Sequence, residues 1–190
     1  VWTEQPMVRI LPHWTWPGLE GKSIPVICYS NCDEVELFLD DESLGVKKMD
    51  RNEMQLRWDV PYRAGTIKAI GHTGGESVAE CSHQTASAPA ALAVHSDVTA
   101  LTADGTSIAH ITVTVVDGEG RFVPSGSADV RVEVAGEGKL IGLENGDPLD
   151  TSNYKLDHRR AFNGMMLAIV QAGRQPGSIA VKVSAEALEG

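Results

Sequence analysis

The sequence predicts an all-β protein that consists of two β-sandwich domains in tandem. Short segments in which apolar and polar residues alternate recur along the 190 residues, and this period of two is typical of half-buried strands. Glycine, asparagine, aspartate and proline separate these segments, as turns require. A stretch of small residues with one proline, residues 86–91, divides the segments into two series and is the best candidate for a linker.

The first series is organised around a hairpin at residues 30–45. Val35, Leu37 and Leu39 point to one face of its first strand, and a returning strand follows. A hairpin alone is only marginally stable, so further strands must cover its apolar face. Gly74-Gly75 is expected to form a tight turn between two of them. These further strands are predicted at residues 7–11, 24–30, 54–60, 67–71 and 77–85.

The number and length of these strands are typical of an immunoglobulin-like sandwich, because several short strands follow one another with no convincing helical period. The cysteine and tryptophan arrangement of true immunoglobulin domains is absent, since Trp58 lies too late between Cys28 and Cys81. We therefore predict that Trp58 is a core residue; a ligand-stacking role is the alternative.

The second series predicts a second sandwich beyond the linker. Segment 160–172 is long enough for a helix, but Gly164 and the pair Ile169-Val170 favour a strand. Residues 136–146 contain four glycines and end in the turn cluster Asn145-Gly146-Asp147-Pro148. Strands are expected at residues 92–95, 108–117, 130–135, 160–172 and 178–185. The predicted domains are residues 1–86 and 87–190.

Composition excludes several classes of function. Acidic residues outnumber basic residues by 26 to 16, evenly between the two halves, so no basic surface is expected for nucleic acid or anionic lipid. No apolar run approaches the length of a membrane-spanning helix. Cys28, Cys32 and Cys81 are an odd number without zinc-site spacing, so we predict three free thiols. The chain begins at Val1 with no signal peptide, and we expect it to be a piece of a longer protein.

No constellation of catalytic residues is evident. A hydrolase needs convergent carboxylates or a nucleophile with its base, whereas the densest acidic run, Asp40-Asp41-Glu42, falls at a hairpin tip and is expected to be solvated. His95 and Asp97 are spaced to share one strand face, but two groups do not make a site. Some acids lie near turns, as calcium ligands often do, without the spacing of a calcium loop. These are Asp97, Asp104, Asp117, Glu119 and Asp147. We assign no catalytic residue, no metal ligand and no cofactor.

Carbohydrate binding without catalysis requires exposed aromatic rings, and all four tryptophans lie in the first half of the chain: Trp2, Trp14, Trp16 and Trp58. Trp14 and Trp16 are two positions apart and would place both rings on one face of an extended segment. With His13, they are the candidates for a carbohydrate or domain interface. Packing inside the domain is the alternative.

Several motifs resemble the region just after the catalytic barrel in bacterial glycoside hydrolase family 2 enzymes of the β-galactosidase type. The resemblance covers nearly the whole chain and is most specific in the first half. The matching segments are Pro12-His13-Trp14-Thr15-Trp16-Pro17-Gly18, Glu20-Gly21-Lys22, residues 30–39, Ser43-Leu44-Gly45, Trp58-Asp59-Val60-Pro61-Tyr62, residues 65–71, Leu101-Thr102-Ala103-Asp104-Gly105, residues 111–117 and Asn145-Gly146-Asp147-Pro148. The chain departs from the family at Thr15, where asparagine is usual, and at Asp40-Asp41, where Asn-Gly is usual.

The resemblance implies that the parent is a retaining glycosidase that uses two glutamates at the end of a barrel. The barrel is not part of these 190 residues, so no residue here inherits a catalytic role, and we expect the chain alone to be inactive. The resemblance also implies an exported protein, periplasmic or extracellular. The rival interpretation is an immunoglobulin-like spacer or adhesive module of a bacterial surface protein, or a carbohydrate-binding module, because the second half also resembles the modules of adhesins.

The resemblance gives the first residues an expected partner. Both faces of an extended segment at residues 7–16 would be largely apolar, which suits a strand that is covered on both sides. The expected partner is the catalytic barrel of the parent chain, with carbohydrate as a further candidate. Without the barrel, this segment is expected to favour self-association. The alternative is that the segment folds back wholly into its own domain.

Overall fold

The structure, a computed structural model, describes residues 3–50, 52–53, 55–186 and 188. These residues form strands, turns and loops without a helix, which confirms the all-β prediction. A helix with the length and hydrophobicity of a membrane span is therefore not found in the described ranges. The chain divides into two compact units, Val1–Thr85 and Ala86–Gly190, and the predicted boundary at 86/87 lies one residue further along.

Unit 1 is a sandwich of a three-stranded and a four-stranded antiparallel sheet. The order is β1-β2-β5 in the first sheet and β4-β3-β6-β7 in the second. The seven strands are β1 Val8–Leu11, β2 Ser23–Ser30, β3 Glu34–Leu39, β4 Glu42–Lys48, β5 Gln55–Pro61, β6 Thr66–Thr73 and β7 Glu76–Gln84. Met54, which was predicted at the start of the fifth strand, lies outside the described residues, as does Trp2.

The core of unit 1 lies between its two sheets, because each strand buries alternate residues. In β3 the buried residues are Val35, Leu37 and Leu39, as the alternation predicts. Trp58 of β5 is only 6% exposed, which confirms that it is a core residue. The ammonium group of Lys47 lies 5.0 Å from the centre of its ring and covers it from the solvent side.

Two turns of unit 1 show how the chain reverses. Asp40, at the β3–β4 hairpin, has a φ of 55°, and its carboxylate accepts a 2.9 Å hydrogen bond from the backbone N–H of Thr66. This bond, with Arg63 at 3.5 Å, stabilises the turn although Asn-Gly is usual there. Gly74 and Gly75 both have positive φ, as a two-residue hairpin requires, and they join β6 to β7 as predicted.

Unit 2 is a second sandwich, with four strands in one sheet and three in the other. The order is β11-β13-β9-β8 in one sheet and β12-β10-β14 in the other. The strands are β8 Ala91–Ser96, β9 Ile108–Val116, β10 Asp129–Gly136, β11 Gly138–Glu144, β12 His158–Arg160, β13 Met165–Ala172 and β14 Ile179–Ala185. Segment 160–172 is a strand from Met165, as its β-branched residues indicate, and not a helix.

The structure differs from the sequence-based expectation at β11, where the glycine-rich composition indicated turns alone. The glycines allow close packing here, since a Cβ on Gly138 would collide with the side chain of Ile179 in β14. The core of unit 2 is built mainly from valines and alanines, with Leu92, Ile111, Leu143 and Met166 as the larger members.

Candidate functional site

The N-terminal segment, residues 7–16, carries the predicted interface residues. Only its first part is a strand: β1 ends at Leu11, and the Leu11–Pro12 peptide bond is cis. Val8 and Ile10 are buried, whereas Leu11 on the opposite face is 51% exposed. One face of β1 therefore belongs to the core of unit 1, and the other is open.

Trp14 lies in the core of unit 1 and is only 1% exposed. Its Nε1–H donates a 3.1 Å hydrogen bond to the carbonyl oxygen of Arg63, and its ring meets Tyr62 edge-on at 5.2 Å. A side chain buried and satisfied in this way has no ring face left for a sugar. Trp14 therefore packs inside its own domain and is not part of an exposed aromatic pair.

His13 and Trp16 come together as a stacked pair, with ring centres 4.2 Å apart. The Nε1–H of Trp16 donates a 3.0 Å hydrogen bond to the carbonyl oxygen of His13, which closes a short loop around Trp14. Burial lowers the pKa of His13, and the neighbouring His83 lowers it further. Both rings are partly exposed. The pair therefore presents partly exposed aromatic surface.

The outer face of the first sheet extends this apolar surface. Register pairing places Leu11 opposite Ile27 and Arg9 opposite Tyr29, so these residues form adjacent rows on one face. Tyr29 is 40% exposed and Ile27 is partly exposed. We call Leu11, Ile27 and Tyr29 the β1–β2 patch. Leu11 lies far from Ile27 and Tyr29 in sequence, and the pairing of β1 with β2 brings it beside them.

The acids that lie near turns serve the backbone. Asp104 accepts hydrogen bonds from the backbone N–H groups of Thr106 and Ser107, both at 2.7 Å, and these bonds lower its pKa. Asp97 pairs with His110 at 2.8 Å and not with His95, which lies two positions before it. No group of three or more histidine, cysteine or acidic side chains in the described ranges is arranged to hold a metal ion.

A polar pocket of about 720 Å³ lies in unit 2, and sequence reasoning missed it. One wall is the long loop that joins β11 to β12, and the other walls are residues 124–129 and 160–163. The loop is held by Arg159, whose side chain is 1% exposed. Its guanidinium donates to Asp150 at 3.1 Å and to the carbonyl oxygen of Ser152 at 2.9 Å, and it lies 4.7 Å from the ring centre of Tyr154. The turn cluster at 145–148 was the available signal, but it did not indicate a cavity.

Comparison with known proteins identifies the family. The family model described as glycoside hydrolase family 2 C-terminal domain 5 matches residues 92–190, more than half of the chain. The chain belongs to this family. A second model, described as a domain of unknown function, matches residues 21–79. The family confirms the resemblance found in the sequence, and it favours a non-catalytic C-terminal region of a family 2 enzyme over a bacterial adhesin.

Curated relatives support the same assignment. A β-galactosidase from Bacteroides ovatus is 36% identical over 188 residues, which are 98% of this chain and 22% of that protein. A putative β-glucuronidase from Formosa agariphila is 40% identical over 190 residues, which are 97% of this chain and 18% of that protein. The chain thus spans about a fifth of the length of these bacterial relatives.

Solved structures share the fold of this family 2 region. A β-glycosidase from Bacteroides vulgatus matches with a TM-score of 0.94 and 38% identity, over 98% of this chain and 24% of that chain. A glycoside hydrolase family 2 member from Bacteroides cellulosilyticus matches with a TM-score of 0.90 and 28% identity, over 98% and 28% of the two chains. These matches confirm the prediction of paired β-sandwiches.

Proposed function

We propose that this chain supports the catalytic barrel of a β-galactosidase-like family 2 enzyme and that the barrel docks on unit 1. The observation that carries the proposal is the exposed β1–β2 patch, together with the partly exposed His13–Trp16 pair that follows β1 in sequence. Leu11 is half exposed on an ordered strand whose other face is core, so its open face is available to a partner without unfolding. Trp14 contributes indirectly, because its burial fixes the loop that carries His13 and Trp16.

The proposed domains are residues 1–86 and 87–190, each with its own core.

The proposed substrate of the whole enzyme is a β-galactoside, in line with the name of the relative from Bacteroides ovatus, and its proposed location is outside the cytoplasm, as the family resemblance implies. The chain alone is expected to leave a nitrophenyl β-galactoside unhydrolysed. Turnover by the pure chain that a substitution in the chain abolishes would contradict this part of the proposal.

The docking proposal is tested by Leu11→Arg in the whole enzyme and in the isolated chain. We expect the isolated chain to keep its melting temperature, because Leu11 points to solvent there. The whole enzyme is expected to lose activity or to show separate melting of barrel and C-terminal region, because a charge would be buried at the interface. Trp16→Ala is expected to cause a smaller loss of the same kind in the whole enzyme.

Val46→Arg is the matched control, since Val46 is also 51% exposed and also lies on an edge strand, β4 of the other sheet. This variant is expected to leave the whole enzyme unchanged. An unchanged whole enzyme with Leu11→Arg, or equal losses in both variants, would exclude the β1–β2 patch as the docking surface. In the isolated chain, the patch is expected to promote self-association, which sedimentation of wild type and Leu11→Arg at increasing concentration measures.

A further inference from the structure

The pocket of unit 2 has the chemistry of a carbohydrate site. Its volume falls within the range of about 300–1,000 Å³ that small-molecule sites usually have. Its lining combines hydrogen-bond donors and acceptors with the half-buried ring of Phe162. A sugar offers hydroxyl groups that both donate and accept, and it offers an apolar C–H face that packs on an aromatic ring.

Asp129 provides a hydrogen-bond acceptor and Arg160 provides donors directly beside it. They lie directly opposite each other on β10 and β12, and both line the pocket. No ion pair joins them within the described part of the chain. Instead, the Nε–H of Arg160 donates at 3.1 Å to the carbonyl oxygen of Ser127. This bond orients the guanidinium and leaves its two terminal nitrogens available. An adjacent carboxylate and guanidinium can bind two neighbouring hydroxyl groups of one sugar ring.

The loop between β11 and β12, which also lines the pocket, is held in place by side-chain hydrogen bonds. The Asn145 amide donates to Asp150 at 2.8 Å and to the carbonyl oxygen of Arg160 at 3.0 Å, so it ties the loop to β12. Arg159 holds the same loop from inside. Its Nε–H is buried and has no acceptor among the described residues. A buried donor without a partner is costly for stability.

The charges of the lining select against acidic ligands. The lining includes three carboxylates, on Asp129, Asp147 and Asp150, and two guanidinium groups, on Arg159 and Arg160. Hydrogen bonds from Ser152 and Asn145 and the charge of Arg159 lower the pKa of Asp150 below its ordinary value, although desolvation opposes them, so it stays ionised. The pocket is therefore weakly negative at neutral pH and should repel a uronate.

We propose that this pocket binds a neutral oligosaccharide. Binding of such a segment within a polysaccharide would hold the whole enzyme near that polysaccharide. The proposal rests on the proposed function for the class of ligand, but it concerns unit 2 and not the docking surface. It assigns recognition to Asp129 and Arg160, stacking to Phe162, and positioning of the loop to Arg159.

The test is a nuclear magnetic resonance titration of the isolated 190-residue chain with β-1,4-galactotriose, cellotriose and trigalacturonic acid. We expect a neutral trisaccharide to shift amide signals of residues 124–129 and 145–163 at millimolar concentration. Asp129→Asn, Arg160→Gln and Phe162→Leu should each weaken binding at least fivefold. Arg174→Gln is the matched control, because Arg174 is an exposed arginine of unit 2 outside the pocket.

Three results would overturn the proposal: no shift with either neutral trisaccharide, shifts that the pocket variants leave unchanged, or tighter binding of trigalacturonic acid. Asp129 and Arg160 are exposed, so their substitution is expected to leave the fold intact, and dichroism of each variant verifies this. Failure of docking in the whole enzyme leaves this titration unaffected. A failed titration likewise leaves the docking experiment unaffected, so the two proposals fail separately.

Discussion

The buried carboxylate of Asp117 accepts a 2.9 Å hydrogen bond from the backbone N–H of Ser87, which lies 30 positions earlier in the chain. It also accepts hydrogen bonds of 2.9 Å from the N–H groups of Glu119 and Arg121, and the Arg121 guanidinium lies 3.3 Å away. One side chain thus joins the turn after β9 to the first residues of unit 2. This contact fixes the position at which the chain enters the second sandwich.

Asp117→Asn is expected to destabilise unit 2, most strongly at neutral pH. The hydrogen bond from Ser87, followed by those from Arg121 and Glu119, lowers the pKa of Asp117 below its ordinary value of 3.8. Its contribution is therefore fully present above pH 3.8 and is lost as the pH falls through the lower pKa of the folded state. Urea unfolding at pH 7 and pH 3 should show a large difference between wild type and variant at pH 7 and a smaller one at pH 3.

Glu119→Gln is the control for this prediction, since the Glu119 side chain is exposed on the same turn. It should leave the urea midpoint nearly unchanged. Equal losses for both variants, or a wild-type advantage that does not shrink in acid, would contradict the role of the buried carboxylate.

The alternation of apolar residues predicted most strands because each sheet has one buried face, so the side chains report the period of two directly. Val35, Leu37 and Leu39 illustrate this case. The same rule missed β11, where Gly138 and Gly142 have no side chains to alternate. The glycine-rich composition is typical of turns. In the structure, the absence of a side chain at Gly138 lets the segment pack closely against Ile179 as a strand.

The candidate site was predicted less well, for a physical reason. The period of two ends with β1 at Leu11, so the burial of Trp14 depends on the loop conformation and not on sequence spacing. The pocket likewise depends on strand pairing, which sets Asp129 beside Arg160 although 30 residues separate them in sequence. Such contacts are invisible in local patterns. Residue type alone gave His13 and Trp16 as candidates, and their interface role remains a proposal.

Gly164→Ala is expected to destabilise unit 2 by two additive effects. Gly164 has a φ of 76°, which costs an alanine about 1–2 kcal/mol. A Cβ there would also collide with the carbonyl oxygen of Val123 and the ring of Phe122, which adds about 1–3 kcal/mol. Gly120→Ala separates the two effects, because Gly120 has a φ of 79° and open space around its Cα. Denaturant unfolding should show the larger loss for Gly164→Ala, and equal losses would exclude the packing effect.

Trp58→Ala is expected to destabilise unit 1 by about 3–5 kcal/mol, the usual cost of deleting a large buried aromatic side chain. Trp58→Phe should cost much less. The Nε1–H of Trp58 is buried without an acceptor among the described residues, so its removal offsets part of the lost ring. Chemical denaturation of both variants measures the difference. A loss below about 1 kcal/mol for Trp58→Ala would mean that the ring does not support the core.

The thiols are expected to differ in reactivity. Burial, with a smaller effect of the nearby Cys81, raises the pKa of Cys28 to about 12. Iodoacetamide at pH 8 should therefore modify the partly exposed Cys81 first and Cys28 very slowly. Mass spectrometry of peptides over time gives the order, and Cys81→Ser should remove the fast phase alone. Thiol titration in denaturant should count three; a count of one would reveal a disulfide.

The stacked His13–Trp16 pair should make unit 1 sensitive to mild acid. The pKa of His13 is below its ordinary value of 6.5 because burial, followed by the charge of His83, disfavours the imidazolium. The unfolded chain therefore takes up a proton first, and stability is lost as the pH falls from 6.5 to the folded-state pKa.

His13→Gln should abolish this part of the loss, whereas His95→Gln, an exposed control in unit 2, should not. Thermal unfolding followed by tryptophan fluorescence between pH 8 and pH 5 measures the effect, since all four tryptophans lie in unit 1. An unfolding temperature that falls equally in wild type and His13→Gln would exclude His13 as the source.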